Sequence, residues 1–233
     1  QLGGAATFFS LAAGPEADVR VVAVVGDDFE TEHLELLRGR GVDLAGVARA
    51  AGPSFHWSGR YHDDFIERDT LATELGVFAD FAPRVPDAWR ASDYVFLANI
   101  HPALQADVLA AVSGPRLIAL DTMNLWIEST RDDLVALLPR VDVLMVSDSE
   151  ARLLSGQRSL AAAADAIRSL GPSRVVIKKG EHGALLFGRD SVLAVPAMIL
   201  PEVVDPTGAG DSFAGGFMAS LARSGADRDA PDS

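Results

Sequence analysis

An α/β fold is predicted for this chain of 233 residues, built on a mostly parallel sheet covered on both faces. From residue 94 onward, short apolar runs of strand length alternate with helical patterns, the order that parallel crossover units require. Length and an apolar content of 48% allow one large core. One stretch, residues 42–80, departs from the alternation and reads as a β-rich insertion, a small lid over one edge of the fold.

Residues 5–13 form a short helix candidate of small residues directly after Gly3-Gly4. Residues 19–25 are a continuous apolar run of strand length, and residues 30–40 have helical periodicity that stops at Gly41. Within the insertion, residues 47–50, 54–61 and 71–78 read as short strands joined by polar turns, with an acidic turn at 63–69 as a solvated hairpin tip. The regular part follows: strands at 94–98, 117–121, 143–146 and 175–178, and helices at 104–112, 131–138, 150–154 and 160–170. Residues 184–187 and 192–195 suggest a late hairpin, and residues 212–221 a final helix of small and apolar residues. Ligands in such folds gather at the carboxyl ends of the strands.

The formal net charge of −13 argues against nucleic acid as a partner, which would require a basic surface. No apolar run approaches membrane-spanning length, and the start lacks the basic-then-apolar pattern of a signal peptide. With no cysteine, disulfides and thiolate metal sites are excluded, which fits a cytoplasmic protein. The histidines show no tight metal-ligand spacing. Lys178 and Lys179 are the only lysines among 20 basic residues and stand side by side, a candidate local cationic spot. The start at Gln1 and the polar tail 224–233 read as trimmed ends.

Residues 205–217, Asp-Pro-Thr-Gly-Ala-Gly-Asp-Ser-Phe-Ala-Gly-Gly-Phe, carry the chemistry. Gly208-Ala209-Gly210 can expose backbone N–H groups at the start of a helix, where partial positive charge and unpaired donors favour an anion. Asp211 at the same place would repel a phosphate. Its presence makes sense if the carboxylate takes a proton from a hydroxyl that attacks the phosphate, so phosphoryl transfer to an alcohol is the expected reaction. Read alone, Asp211 would be an ordinary first-turn acid and Glu150 a capping acid with Ser147 as N-cap. Gly215 and Gly216 are expected to serve close helix packing.

The run 205–213 resembles the C-terminal signature of the PfkB, or ribokinase-like, carbohydrate kinases; the Walker pattern is absent. Gly3-Gly4 resembles the family's N-terminal substrate motif. Asp121-Thr-Met-Asn124 with Trp126 resembles its central Asp-x-Asn segment, and Ser147-Asp-Ser-Glu150 stands where the family carries Asn-x-x-Glu. Residues 176–183, Val-Ile-Lys-Lys-Gly-Glu-His-Gly, resemble the strand and turn beside the nucleotide. The resemblance implies one ribokinase-like kinase domain over residues 1–233, a three-layer sandwich with the lid at about 42–80, incomplete at both ends.

It further implies Asp211 as general base, with Gly208, Ala209 and Gly210 as the anion hole for the transferring phosphoryl. Lys178, Lys179, Gly180 and Gly183, with Asp205 and Thr207, would bind ATP, and Glu150 would organise Mg²⁺ through water. Gly3, Gly4 and Asp121 would join Asp211 at the acceptor. Asn99 and His101 follow a strand end, a place for a ligand and equally for a turn at residues 99–102, and Asn99 is taken as a further acceptor candidate. A monovalent cation such as K⁺ near the anion loop and a homodimer paired through the lid belong to the same expectation. The acceptor is expected to be a small sugar. An adenosine-like nucleoside is the alternative, with Phe55, Trp57 and Trp126 as candidate base platforms. A non-catalytic ligand-binding protein is the third reading, and ATP consumption across a panel of acceptors separates it from the other two.

Overall fold

The computed structural model describes residues 2–61 and 68–228; most of the acidic turn at 63–69 and the last five tail residues lie outside the described residues. The chain divides into two compact units, one of residues 1–87 and 204–219, the other of residues 88–203 and 220–233.

The first unit opens with α1 (Ala5–Ala13), β1 (Arg20–Val25), α2 (Thr31–Arg38) and β2 (Asp43–Arg49). β1 and β2 pair in parallel, so the strand expected from residue 47 begins earlier and belongs with β1. The hairpin of the insertion is β3 (His56–Tyr61) and β4 (Arg68–Glu74), an antiparallel two-stranded sheet. β4 stops short of the expected residue 78. Gly76 takes a positive φ of 52°, the chain turns into a 3₁₀ helix at Gly76–Asp80, and Val77 N–H donates to Pro53 O. Ala13, Val19, Val21, Leu37, Val42 and Leu44 form the apolar core of this unit together with Ala219.

The second unit holds β5 (Tyr94–Leu97), α3 (Pro102–Ala111), β6 (Leu117–Asp121), α4 (Asn124–Ser129), α5 (Arg131–Leu137), β7 (Val143–Ser147), α6 (Asp148–Ser155), α7 (Leu160–Arg168), β8 (Arg174–Lys178), β9 (Ala184–Phe187) and β10 (Val192–Val195). Its six-stranded sheet has the order β10-β9-β8-β7-β6-β5. β5 to β8 run parallel, and β9 and β10 add an antiparallel edge. Every residue of β6 is buried, and so are the first four of β7 and of β8, which is the signature of strands covered on both faces. The mostly parallel α/β sheet expected from the alternation is therefore present. α3 starts at Pro102, two residues before its expected start: His101 caps it by accepting from Ala103 N–H, and the ring of Pro102 suits the first helical position. α4 was not anticipated, being too short to show a period.

The final helix, α8 (Ala209–Ser224), begins inside the glycine run. A Cβ at Gly215 would overlap the Phe9 carbonyl oxygen of α1, whereas one at Gly216 would meet nothing. The close-packing role expected of both glycines holds for Gly215 alone. Among the described residues no helix is long and apolar enough to cross a membrane.

Gly215→Ala should therefore lower the unfolding free energy by about 1–3 kcal/mol through overpacking against α1. Gly216→Ala should be neutral or stabilising by up to about 1 kcal/mol, because glycine is a poor helix former. Urea denaturation of both variants checks the pair, and equal losses would contradict the packing assignment.

Candidate functional site

In the first unit the glycine run is built from its own backbone. Thr207 N–H donates to Asp205 Oδ1 at 2.9 Å, an Asx turn that starts the loop. The hydroxyl and the N–H of Thr207 hold the Asp205 carboxyl below its usual range. Gly208 has a φ of 77°, and a Cβ there would overlap the ring of Phe8. Ala209 N–H donates to Pro206 O, and Gly208 O accepts from Ser212 N–H. Gly210 and Asp211 thus occupy the first turn of α8, where a helix gives its own N–H groups no partner. Phe8 lies on α1, whose first turn closes on Gly4 through Thr7 and Phe8 N–H donating to Gly4 O. Gly3 and Gly4 are exposed, Gly4 has a φ of 92°, and the space around both is open. The Gly-Gly pair and the glycine loop are therefore brought to one place through a single short helix.

In the second unit the expected residues gather at the carboxyl ends of β5 to β8. Asp121 ends β6 and is 4% exposed. Lys178 ends β8, and its Nζ lies 3.2 Å from both carboxylate oxygens of Asp121. Thr122 N–H donates to Asp121 Oδ1 at 3.0 Å. Burial raises the Asp121 pKa, with Lys178 and the Thr122 N–H opposing that rise. Lys178, expected near ATP phosphates, is thus already engaged by a carboxylate. The Lys179 side chain is half-buried and has no ion-pair partner among the described residues. Its N–H donates to Gly183 O, closing the turn Gly180–His182; a Cβ at Gly183 would overlap Val195 O of the β10 edge.

β7 ends at Ser147, which forms a complete capping box with Glu150. Ser147 Oγ accepts from Glu150 N–H at 3.2 Å, and Glu150 Oε2 accepts from Ser147 N–H at 2.6 Å. Burial raises the Glu150 pKa and the Asp121 charge adds to it, while the Ser147 N–H and Lys178 pull it down. Glu150 and the hydroxyls of Ser147 and Ser149, 3.0 Å apart, are hard oxygen groups at this end, beside the paired carboxylates of Asp148 and Asp121. No cluster of three or more Asp, Glu or His side chains able to hold a metal occurs among the described residues. With Asp148 paired to Arg152 and Asp121 to Lys178, the Glu150 carboxylate fits a Mg²⁺ ion that keeps most of its water and takes other ligands from phosphate, and does not fit a cage.

Asn99 follows β5. Its Oδ1 accepts from Trp126 Nε1 at 3.0 Å, and the Trp126 ring meets His101 edge-on with centroids 5.2 Å apart. Trp126, a candidate base platform, is thus tied to Asn99 and His101. Sequence reasoning missed Gln105. It stands with Pro102 and Leu109 on the buried stripe of α3, and a lone amide on an apolar i, i+3, i+7 stripe is the signal that could have found it.

A mostly parallel sheet with polar groups at its carboxyl ends, together with a glycine loop opening a helix, agrees with the pfkB family carbohydrate kinase pattern, which matches residues 2–231. The chain belongs to the PfkB family. It is 32% identical over 227 residues to the cytidine kinase of Thermococcus kodakarensis, covering 95% of this chain and 80% of that protein. To the 2-dehydro-3-deoxygluconokinase of Thermoproteus tenax it is 30% identical, covering 93% and 71%. Among solved structures, an E. coli chain given the name ribokinase II, in complex with ATP and Mg²⁺, superposes with a TM-score of 0.79 at 22% identity, covering 94% of this chain and 75% of that one. The ribokinase-like fold expected from the sequence is confirmed. The chain is a kinase, a phosphotransferase with an alcohol group as acceptor.

Lys178→Met should cost about 3–5 kcal/mol of stability, because it leaves the Asp121 carboxylate buried without its partner. The double variant Asp121→Asn/Lys178→Met should recover most of that loss. In the single variant the folded carboxyl holds its proton more tightly than the unfolded one. The deficit is therefore small at low pH and grows as the pH rises through and above the usual carboxylate range. Denaturation curves at several pH values read all three outcomes.

Proposed function

We propose that this kinase transfers the γ-phosphoryl group of ATP to a hydroxyl of a sugar ring, carried by a free small sugar or by a nucleoside. The observation that carries the reading is the glycine loop at 205–211 built against the helix that follows Gly3-Gly4. Asp211 acts as general base on the acceptor hydroxyl. The O–H bond breaks as the new O–P bond forms and the bond to ADP breaks, with the proton passing to the carboxylate. Backbone N–H groups of 208–210 supply the anion hole. Because Ala209 N–H is engaged by Pro206 O, Gly208 and Gly210 are the members of that set left to donate. Gly3 and Gly4 let the acceptor approach the backbone, with Asn99 and Asp121 contributing at the acceptor.

On the nucleotide side Lys179, Gly180 and Gly183 contact ATP, and Asp205 and Thr207 shape the loop. Lys178 contributes through its pair with Asp121. Glu150, with Ser147 and Ser149, would hold Mg²⁺ through water; the ion would neutralise charge on the phosphates. Both units together make one kinase domain, residues 1–233, with 42–80 as its lid. The likeness to a cytidine kinase favours a nucleoside as the second reading.

Asp211→Asn should lower kcat by about 10²–10⁴-fold with an unchanged melting temperature. Near-normal turnover of that variant would overturn the base assignment. ADP release measured with the full-length protein across small sugars, sugar acids and nucleosides distinguishes the two acceptor readings. Turnover confined to nucleosides selects the second. No turnover with any acceptor overturns the proposal.

A further inference from the structure

We infer that Gln105 is a positioning residue that fixes the carboxyl ends of β5 and β6, and through them the acceptor-side residues Asn99 and Asp121. The inference rests on the proposed role of Asn99 at the acceptor. Gln105 is 1% exposed, and its side chain crosses from α3 to two strands. Its Nε2 donates to Ala98 O at 2.9 Å and Asp121 O at 3.1 Å, with Leu97 O at 3.4 Å. The β5–β6 register ends at Leu97↔Leu120. One step beyond it, where the ladder no longer joins the strands, the Gln105 amide bridges them instead.

Both segments that leave this bridge carry proposed site residues. Ala98 leads into Asn99, whose side chain is tied to Trp126, and Asp121 carries the carboxylate paired with Lys178. The bridge therefore sets how far the two strand ends splay and how these side chains are presented.

The chemistry at position 105 is narrow. All three partners are carbonyl oxygens, so the group facing them must be a donor, which fixes the orientation of the amide. The other end, Oε1, is buried with no hydrogen-bond partner. A polar side chain that leaves its own acceptor unsatisfied in the core is a poor stabiliser, since a buried unpaired group carries a desolvation cost. Packing alone would be served as well by methionine or leucine. The donor is what glutamine adds, and it acts at the strand ends. A glutamate of nearly the same shape would turn a carboxylate toward three carbonyl oxygens and push the ends apart. Its neutral form, with one O–H to donate, would restore part of the bridge.

The experiment is steady-state kinetics of the full-length protein, with the best acceptor from the panel above, on Gln105→Met, Gln105→Glu, Asn99→Ala and the double variant Gln105→Met/Asn99→Ala. Gln105→Met should raise the acceptor KM about tenfold, with kcat and the ATP KM within about threefold of the parent. The increases from Gln105→Met and Asn99→Ala should be non-additive in the double variant. For Gln105→Glu the acceptor KM should fall toward the parent value as pH is lowered from about 8 to about 6, because a buried carboxyl among carbonyl oxygens holds its proton above the usual range. A lowered melting temperature with unchanged acceptor KM in Gln105→Met means a purely structural role and overturns the inference. Additive effects, or a Gln105→Glu variant whose acceptor KM ignores pH, overturn it too. An unchanged KM in Asn99→Ala instead removes the acceptor role of Asn99, separating failure of that reading from failure of the bridge. If Gln105→Met does not fold, the pH dependence of Gln105→Glu decides alone.

Discussion

Two charges out of water at the end of a sheet constrain much of what surrounds them. Lys178 and Asp121 sit at the ends of β8 and β6, with β7 between them in the sheet order, so their contact spans the end of the intervening strand. Removing a carboxylate and an ammonium from water is costly, and their attraction repays it only with good geometry and further hydrogen bonds. Both conditions are met: Nζ reaches both carboxylate oxygens, and Thr122 N–H adds a bond to Oδ1. The pair thereby holds three parallel strands in one relation at the end where ligands of such sheets collect. Glu150 titrates in the field of both partners, and the segment that turns away from Asp121 leads to Trp126 and so to Asn99.

The first unit meets a different requirement with a different device. An anion site there needs backbone donors held in place without side chains crowding them. The Asx turn at Asp205 starts the loop, and the ring of Phe8 fills the space that a Cβ at Gly208 would need. Gly215 lets α8 approach the backbone of α1 about two turns further on. The same α1 is anchored on Gly4. The loop, α8 and the Gly-Gly pair are positioned on one short helix by the Phe8 ring, the Phe9 carbonyl and the Gly4 carbonyl, and in the proposed reading the side-chain chemistry is left to Asp211.

The regular strand–helix alternation beyond residue 94 was legible because strands buried on both faces are continuous apolar runs bounded by polar turns; β6, β7 and β8 follow that rule. β4 was misjudged at its end because apolar residues recur on both sides of Gly76, while the break there is set by its positive φ and by Val77 N–H pairing with Pro53 O. α4 was invisible because six residues give no period. The turn from Asp205 into the last helix was legible because its geometry is local and dictated by its own residues. The partnership of Lys178 was not. Two adjacent lysines read as one cationic spot, yet Lys178 ends β8 while Lys179 begins the turn after it, and only the carboxylate of Asp121, far away in sequence, sets Lys178 apart. Gln105 escaped for a related reason, since its partners are carbonyl oxygens that any residue would supply.

That separation matters for how an acidic chain can take a polyanion. With a net charge of −13 the long-range field opposes ATP, so attraction has to be local. The charge of Lys178 is largely spent on Asp121, and Glu150 adds a further acid close by, so the strand ends offer little net positive charge before any ligand arrives. On the proposed reading positive potential then falls to Lys179, and backbone N–H groups serve without a countercharge or the desolvation of a full ion. A site of this kind gains less from bulk attraction and more from geometry: donors count only where a phosphoryl oxygen meets them. Burial that raises the Glu150 pKa fits the proposed role, because a carboxyl that is costly to ionise would become easier to ionise with a cation beside it. The acidic surroundings thus penalise a bare polyanion more than one delivered with its metal ion.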